Sequence, residues 1–403
     1  MLHGDIRLDF GDVAEALLAY REALETAQAA LADRPDGAWW HDLSVSYDRI
    51  GDALWAQGDL VRALESYQAS VDSALKLVAW DSSNPAWRRD LSTGYYKIGD
   101  ALQAQGDLVG ALSNYQASVD IERNLAASDS SEAIWQRGLS VGYNKIGEVR
   151  QAQGDLPGAL EYYRTATEIV QKLTALDPSN AALQRHLSAC YDNIGDVLQA
   201  QGDLAGALSC YQAGMAIAQK LAATDSYNAT WRRDLSVGHD NIGSVLQAQG
   251  DLVGALMSYR AGMEIARKLA AADASNATWQ RDLSVGYDNI GEVLQAQGDL
   301  AGALENYQAG MTIRQKLAAA DSHNTEWQRD LSVSYDKIGE VLRQQGDLAG
   351  ALEKYQAGIA IRQKLAADDP SNTQWLRDLS ASYDEVATML KAQGNLDAAL
   401  END

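Results

Sequence analysis

Phenylalanine is almost missing from this chain: Phe10 is the only copy, and proline occurs five times. With strand-forming residues scarce and the helix formers Ala, Leu and Gln plentiful, a β-rich fold is excluded and helices are expected. Cysteine is nearly as rare. Cys190 and Cys210 form no C-x-x-C pair and are too few for a disulfide framework, so they read as ordinary thiols of a reducing compartment. No run of about 18 apolar residues occurs, so no membrane span is predicted. The start, Met1-Leu2-His3-Gly4-Asp5, lacks the basic-then-apolar order of a secretory signal, and a cytoplasmic location is expected. Positive charge is in deficit as well: 33 Lys and Arg stand against 56 Asp and Glu, for a net charge of −23. Such a surface repels nucleic-acid phosphates and anionic lipid head groups, which leaves proteins or peptides of basic or neutral character as partners.

Catalytic constellations are lacking too. There is no Gly-rich phosphate loop, no H-E-x-x-H and no G-x-S-x-G. The five histidines (His3, His41, His186, His239 and His323) hold no metal-ligand spacing. No cofactor, metal or enzymatic activity is expected. Carboxylates do recur at i, i+4, as in Asp288 and Glu292, but the pair repeats along the chain. A catalytic dyad needs one special environment, whereas a ladder points to a surface.

What the chain has in abundance is repetition. Gly58, Gly106, Gly154, Gly202, Gly250, Gly298, Gly346 and Gly394 each stand 48 residues after the one before. A fixed period of this kind is the mark of a repeat architecture. In one unit, Asn276 is placed to cap a helix whose apolar residues are Trp279, Leu283, Tyr287, Ile290 and Leu294. Gly298 falls where a helix ends in a left-handed residue, and Asp299 is placed to cap a second helix carrying Leu300, Ala303, Leu304, Tyr307, Met311 and Leu317. The polar stretch Asp321-Ser322-His323-Asn324 closes the unit, so each repeat is a hairpin of two helices of about 20 residues.

The run Tyr287-x-x-Ile290-Gly291-x-x-Leu294, then Gly298-Asp299, then Ala303-x-x-x-Tyr307, resembles the tetratricopeptide repeat. In that family the small residues, here Gly291 and Ala303, let the two helices approach closely. The family period is about 34 residues, so the period of 48 lengthens both helices. Long-helix arrays of this kind occur in bacterial multidomain signalling proteins and kinesin light chains. The resemblance implies an all-α, right-handed superhelical solenoid of about eight antiparallel hairpins. It places a half-repeat at 1–34, with its first helix vestigial in residues 1–10. Seven full repeats follow at 35–370, and a truncated one at 371–403, whose second helix has barely begun at 394–400.

By the same resemblance, the first helix of each hairpin lines a ligand groove. The residues that fall there in the middle units are Asp192, Asn193, Asp196 and Gln199; Asp240, Asn241 and Gln247; and Asp288, Asn289, Glu292 and Gln295. The column next to the aspartates is basic at Lys97, Lys145 and Lys337 but amide at Asn193, Asn241 and Asn289, so acid is least offset in these units. Lys145 with Glu148 and Lys337 with Glu340 are spaced for pairing within one helix. The Trp column is expected to pack between repeats, and the Arg column at Arg233, Arg281 and Arg329 to form ion pairs between repeats. The function so implied is a protein-binding scaffold or sensor arm. Two other readings remain open at this point: a self-assembling module whose uncapped ends join copies into homo-oligomers, and the regulatory arm of a larger signalling protein.

Overall fold

In a computed structural model, residues 13–34, 36–128, 133–370 and 372–392 are described. They form 16 α-helices and no strand. The terminal stretches expected to hold a vestigial and a barely begun helix, 1–10 and 394–400, lie outside the described residues. The chain divides into two compact units, 1–203 and 204–403.

The first unit holds α1 (Val13–Asp33), α2 (Gly37–Ala56), α3 (Leu60–Trp80), α4 (Pro85–Ala104), α5 (Leu108–Ser128), α6 (Ala133–Ala152), α7 (Leu156–Leu176) and α8 (Ala181–Ala200). The second holds α9 (Leu204–Thr224), α10 (Ala229–Ala248), α11 (Leu252–Ala272), α12 (Ala277–Ala296), α13 (Leu300–Ala320), α14 (Thr325–Gln344), α15 (Leu348–Asp368) and α16 (Thr373–Ala392). Within each unit every helix packs on the next, and the closest pairs are the hairpins α2–α3, α4–α5 and α6–α7 in one and α10–α11, α12–α13 and α14–α15 in the other.

The local causes are repeated with the period. Asn276 accepts the Trp279 amide at 3.1 Å and starts α12, and Asp299 accepts the Gly302 amide at 2.9 Å and starts α13. Between them Gly298 takes φ +82°, a left-handed turn that a side chain strains. Gly291 answers a different need. A Cβ there would lie 2.7 Å from Cε1 of Tyr307, a ring only 1% exposed, so the hairpin closes because this position is bare. The core of the second unit then runs through Tyr259, Ile290, Val293, Tyr307, Ile338 and Val341. Trp279 is half-buried and packs with Met263, Ala266, Ala270, Leu283 and Ile313, a packing role for this member of the Trp column.

Candidate functional site

Residues at offsets 0, +1, +4 and +7 of each first helix share a side that lies between the buried Ile, Gly, Val and Leu of the same helix and solvent. On α8, Asp192, Asn193 and Gln199 are half-buried and Asp196 is exposed. On α10, Asp240, Asn241 and Gln247 are half-buried; on α12, so are Asn289, Glu292 and Gln295. Asp288 is the departure. At 3% exposure its carboxylate lies inside the hairpin, where Arg314 Nη1 from α13 donates to Oδ2 at 2.7 Å. The same guanidinium donates to Ser334 Oγ at 2.8 Å. A buried carboxylate is stable only with such partners.

The lysine column works across repeats. Lys337 of α14 reaches back to α12, donating to Asp288 Oδ2 at 3.1 Å and to Glu292 Oε1 at 2.7 Å. It does not pair with Glu340, which instead holds Arg343 at 2.6 Å. In the first unit Lys97 of α4 reaches back to Asp48 at 2.7 Å and Asp52 at 2.8 Å on α2. Lys145 does both: Asp100 of the preceding repeat lies at 3.4 Å and its own helix's Glu148 at 3.1 Å. The glutamines are partly engaged inward, since Gln247 and Gln295 accept the hydroxyls of Tyr259 and Tyr307 at 3.1 and 3.0 Å. The Arg column pairs with the next repeat's aspartate: Arg233 with Asp282, Arg281 with Asp330 and Arg329 with Asp378, at 2.5, 2.6 and 2.8 Å.

Asp240 has no such cation. The residue of α12 in register with Lys337 is Asn289, whose amide hydrogen-bonds the carboxylate, and the residue of α11 in register with Arg314 is Ala266. Burial pushes the Asp240 carboxyl up to about 7, Asp282 adds to this, and Asn289 offsets part of it.

Between α12, α14 and α16 lies an open depression of about 340 Å³, lined by Glu292, Gln295, Asp336, Lys337, Glu340 and Glu385 with the rings of Tyr307 and Tyr355. Asp336 is held by Arg362 from α15. Glu385 stands where an earlier repeat has Lys337, and burial together with Asp336 raises its carboxyl.

Elsewhere, Cys190 and His186 have company that their columns did not reveal. Asn144 Nδ2 lies 3.3 Å from Cys190 Sγ and 3.1 Å from His186 Nε2. The thiol is fully buried and burial raises its pKa, while burial lowers that of the imidazole. A neutral, inaccessible thiol beside a neutral imidazole is packing, not an activated nucleophile. Among the described residues no group of three His, Cys, Asp or Glu is placed to hold a metal ion, and no helix is long and apolar enough to cross a membrane.

Sequence reasoning missed the buried guanidinium. A signal for it existed: Arg314 and Arg362 occur with Ser334 and Ser382 one helix later, whereas Ala74 and Ala266 occur with Gly94 and Gly286.

A tetratricopeptide-repeat family model matches residues 187–226 and 286–324. No curated protein sequence matches the chain. Among solved structures, the apo form of RapI is 14% identical, with a TM-score of 0.56 over 97% of this chain and 95% of that one. Aspartyl phosphate phosphatase F from Bacillus subtilis is 13% identical, with a TM-score of 0.55 over 97% and 92%. BtubC from P. vanneervenii is 18% identical, with a TM-score of 0.50 over 65% and 92%. At these identities the likeness is one of fold.

Proposed function

We propose that the chain, which matches the tetratricopeptide-repeat family model at residues 187–226 and 286–324, is a binding scaffold whose first helices hold a basic peptide segment of a partner protein. The observation that carries this reading is the depression between α12, α14 and α16. Four of its lining side chains are carboxylates (Glu292, Asp336, Glu340 and Glu385) against one amine, Lys337. The amine is already committed to Asp288 and Glu292, while Asp336 is held by Arg362 and Glu340 by Arg343, so Glu385 carries the excess of acid at the site. Tyr307 and Tyr355 give the same site apolar walls, which suit the methylene stem of a lysine or arginine. The net charge of −23 would draw such a partner in over a distance.

The test is fluorescence anisotropy with a labelled peptide alternating lysine and alanine, and a glutamate–alanine peptide as its opposite. The scaffold reading expects saturable binding of the first, weakening as salt is added, and none of the second. Equal binding of both, or binding of neither, overturns it.

A further inference from the structure

The acid column of the first helices is matched by a cation in most places where its surroundings are described. Asp48 has Lys97; Asp288 has Arg314 and Lys337; Asp336 has Arg362. Asp240 departs from this pattern: among the described residues no lysine or arginine reaches it. Its Oδ1 is enclosed and makes no hydrogen bond, as is also true of Oδ1 in Asp288 and Asp336, so what differs at Asp240 is the missing cation.

The pose of the carboxylate is nevertheless the one seen at Asp288. A Cβ built on Gly262 would lie 3.0 Å from Asp240 Oδ1, and a Cβ built on Gly310 would lie 3.1 Å from Asp288 Oδ1. The two aspartates therefore sit alike against the second helix of their hairpins, and the position in register with Lys337 lies beside Asp240 as well. There the chain supplies Asn289, whose amide is shorter than a lysine and carries no charge.

We propose that the Asp240 carboxylate takes the ammonium group of a lysine from a bound partner, in the place that Lys337 fills one repeat further on. This rests on the basic-peptide reading above and names its anchoring contact. The incoming ammonium meets Ser244 in place of a second acid, because Ser244 stands in register with Glu292. The other charges around the position are spoken for. Asp282 is held by Arg233 and Glu292 by Lys337, while burial keeps the adjacent His239 neutral. A cation arriving from outside is thus the one group that completes the pattern, and it relieves the carboxylate of the cost of burial.

The experiment uses the full chain and the lysine–alanine peptide, with the same peptide fully acetylated on its lysines as control. Asn289→Lys supplies the cation from within, as Lys337 does at Asp288, and Asp240→Asn removes the charge. Gln308→Lys adds the same charge at an exposed position of α13, outside the first helices. The proposal expects acetylation to abolish binding, and N289K and D240N each to weaken it by about tenfold or more. Q308K should stay within about twofold of the parent, the response of a surface charge screened by salt. Wild-type affinity should also fall as pH drops from about 8 to about 6, with no such fall in D240N, since only the ionised carboxylate holds the ammonium. Circular dichroism shows that each variant is folded. Should N289K and Q308K behave alike, or D240N bind as the parent does, the anchoring role of Asp240 is overturned while the scaffold reading stands. A parent chain that ignores the lysine peptide brings down both.

Discussion

Two glycines at the same place in successive repeats, Gly291 and Gly339, should respond differently to alanine. In the middle of a helix, Gly→Ala is worth about 1 kcal/mol of added stability from propensity alone. At Gly339 the new Cβ would meet Tyr355 Cε1, Cζ and Cδ1 at 3.1, 3.2 and 3.3 Å, contacts that a shift of a few tenths of an ångström relieves. At Gly291 it would meet Tyr307 Cε1 and Cδ1 at 2.7 and 2.8 Å. Both rings are buried and both hydroxyls are tied, Tyr307 to Gln295 and Tyr355 to Glu340, so the shorter distances at Gly291 decide the difference. Overfilling a core of this kind costs about 1–3 kcal/mol. Propensity is common to both substitutions and cancels, so G291A should be less stable than G339A by about 1–2 kcal/mol. Repeat arrays open by segments, so the measurement is native-state hydrogen exchange of α12, α13, α14 and α15, supported by urea titration. If G291A matches G339A, or is the more stable of the two, the claim that hairpin closure depends on a bare surface at Gly291 is wrong.

Removing the buried guanidinium by Arg314→Ala should cost about 3 kcal/mol, because Asp288 then keeps a charge inside with Lys337 alone; a double-mutant cycle with Asp288→Ala should recover much of that loss in urea titrations. Since the Asp240 carboxyl is raised to about 7 in the folded chain, the folded state binds the extra proton between about pH 4 and pH 7. Its contribution to stability is therefore lost as pH rises through that window, and D240N should flatten the corresponding slope of a melting-temperature profile. Gly138→Asp should destabilise the first unit, since a Cβ there would lie 2.7 Å from the Glu122 carboxyl group. Adding Glu122→Ala should restore stability, read from the same melting curves, because the new aspartate then meets Arg89, which acts on Glu122 in the parent and is spaced from position 138 as Arg233 is from Asp282.

The helices, their caps and their turns were legible in the sequence because each depends on residues close by in the chain. Asn276, Asp299 and the left-handed Gly298 act within one turn of themselves. The cross-repeat pairing of Arg233 with Asp282 was legible for a related reason: a rigid period turns a column of arginines and a column of aspartates into neighbours. The state of Asp288 was not. Its partner Arg314 lies 26 positions away on the other helix of the hairpin, and only the packed geometry brings it within 2.7 Å. Lys337 was open to misreading because two acids compete for it. Glu340 one turn away looked sufficient, yet the pair Asp288 and Glu292 offers two oxygens from a helix that holds them still. Cys190 and His186 likewise stand in different columns, and a single amide from Asn144 joins them.

These arrangements share one rule: the position of a carboxylate is kept by the period, while the group that neutralises it comes from whichever helix can reach. At Gly138 the period supplies no aspartate, and Glu122 fills the space from the second helix of the preceding hairpin, where burial raises its carboxyl and Ser92 and Arg89 offset part of the rise. At Asp336 the cation comes from Arg362, and the lysine column can turn acidic at Glu385 without leaving that aspartate bare. Compensation of this sort costs the chain nothing in repeat geometry, since one side chain simply replaces another on a helix already in place. Asp240 lies within reach of three such helices, and Ala266, Asn289 and Ser244 all decline the role. An acid left in this way amid a scheme that supplies a counter-charge at Asp48, Asp288 and Asp336 is best accounted for by a cation that the chain does not itself carry.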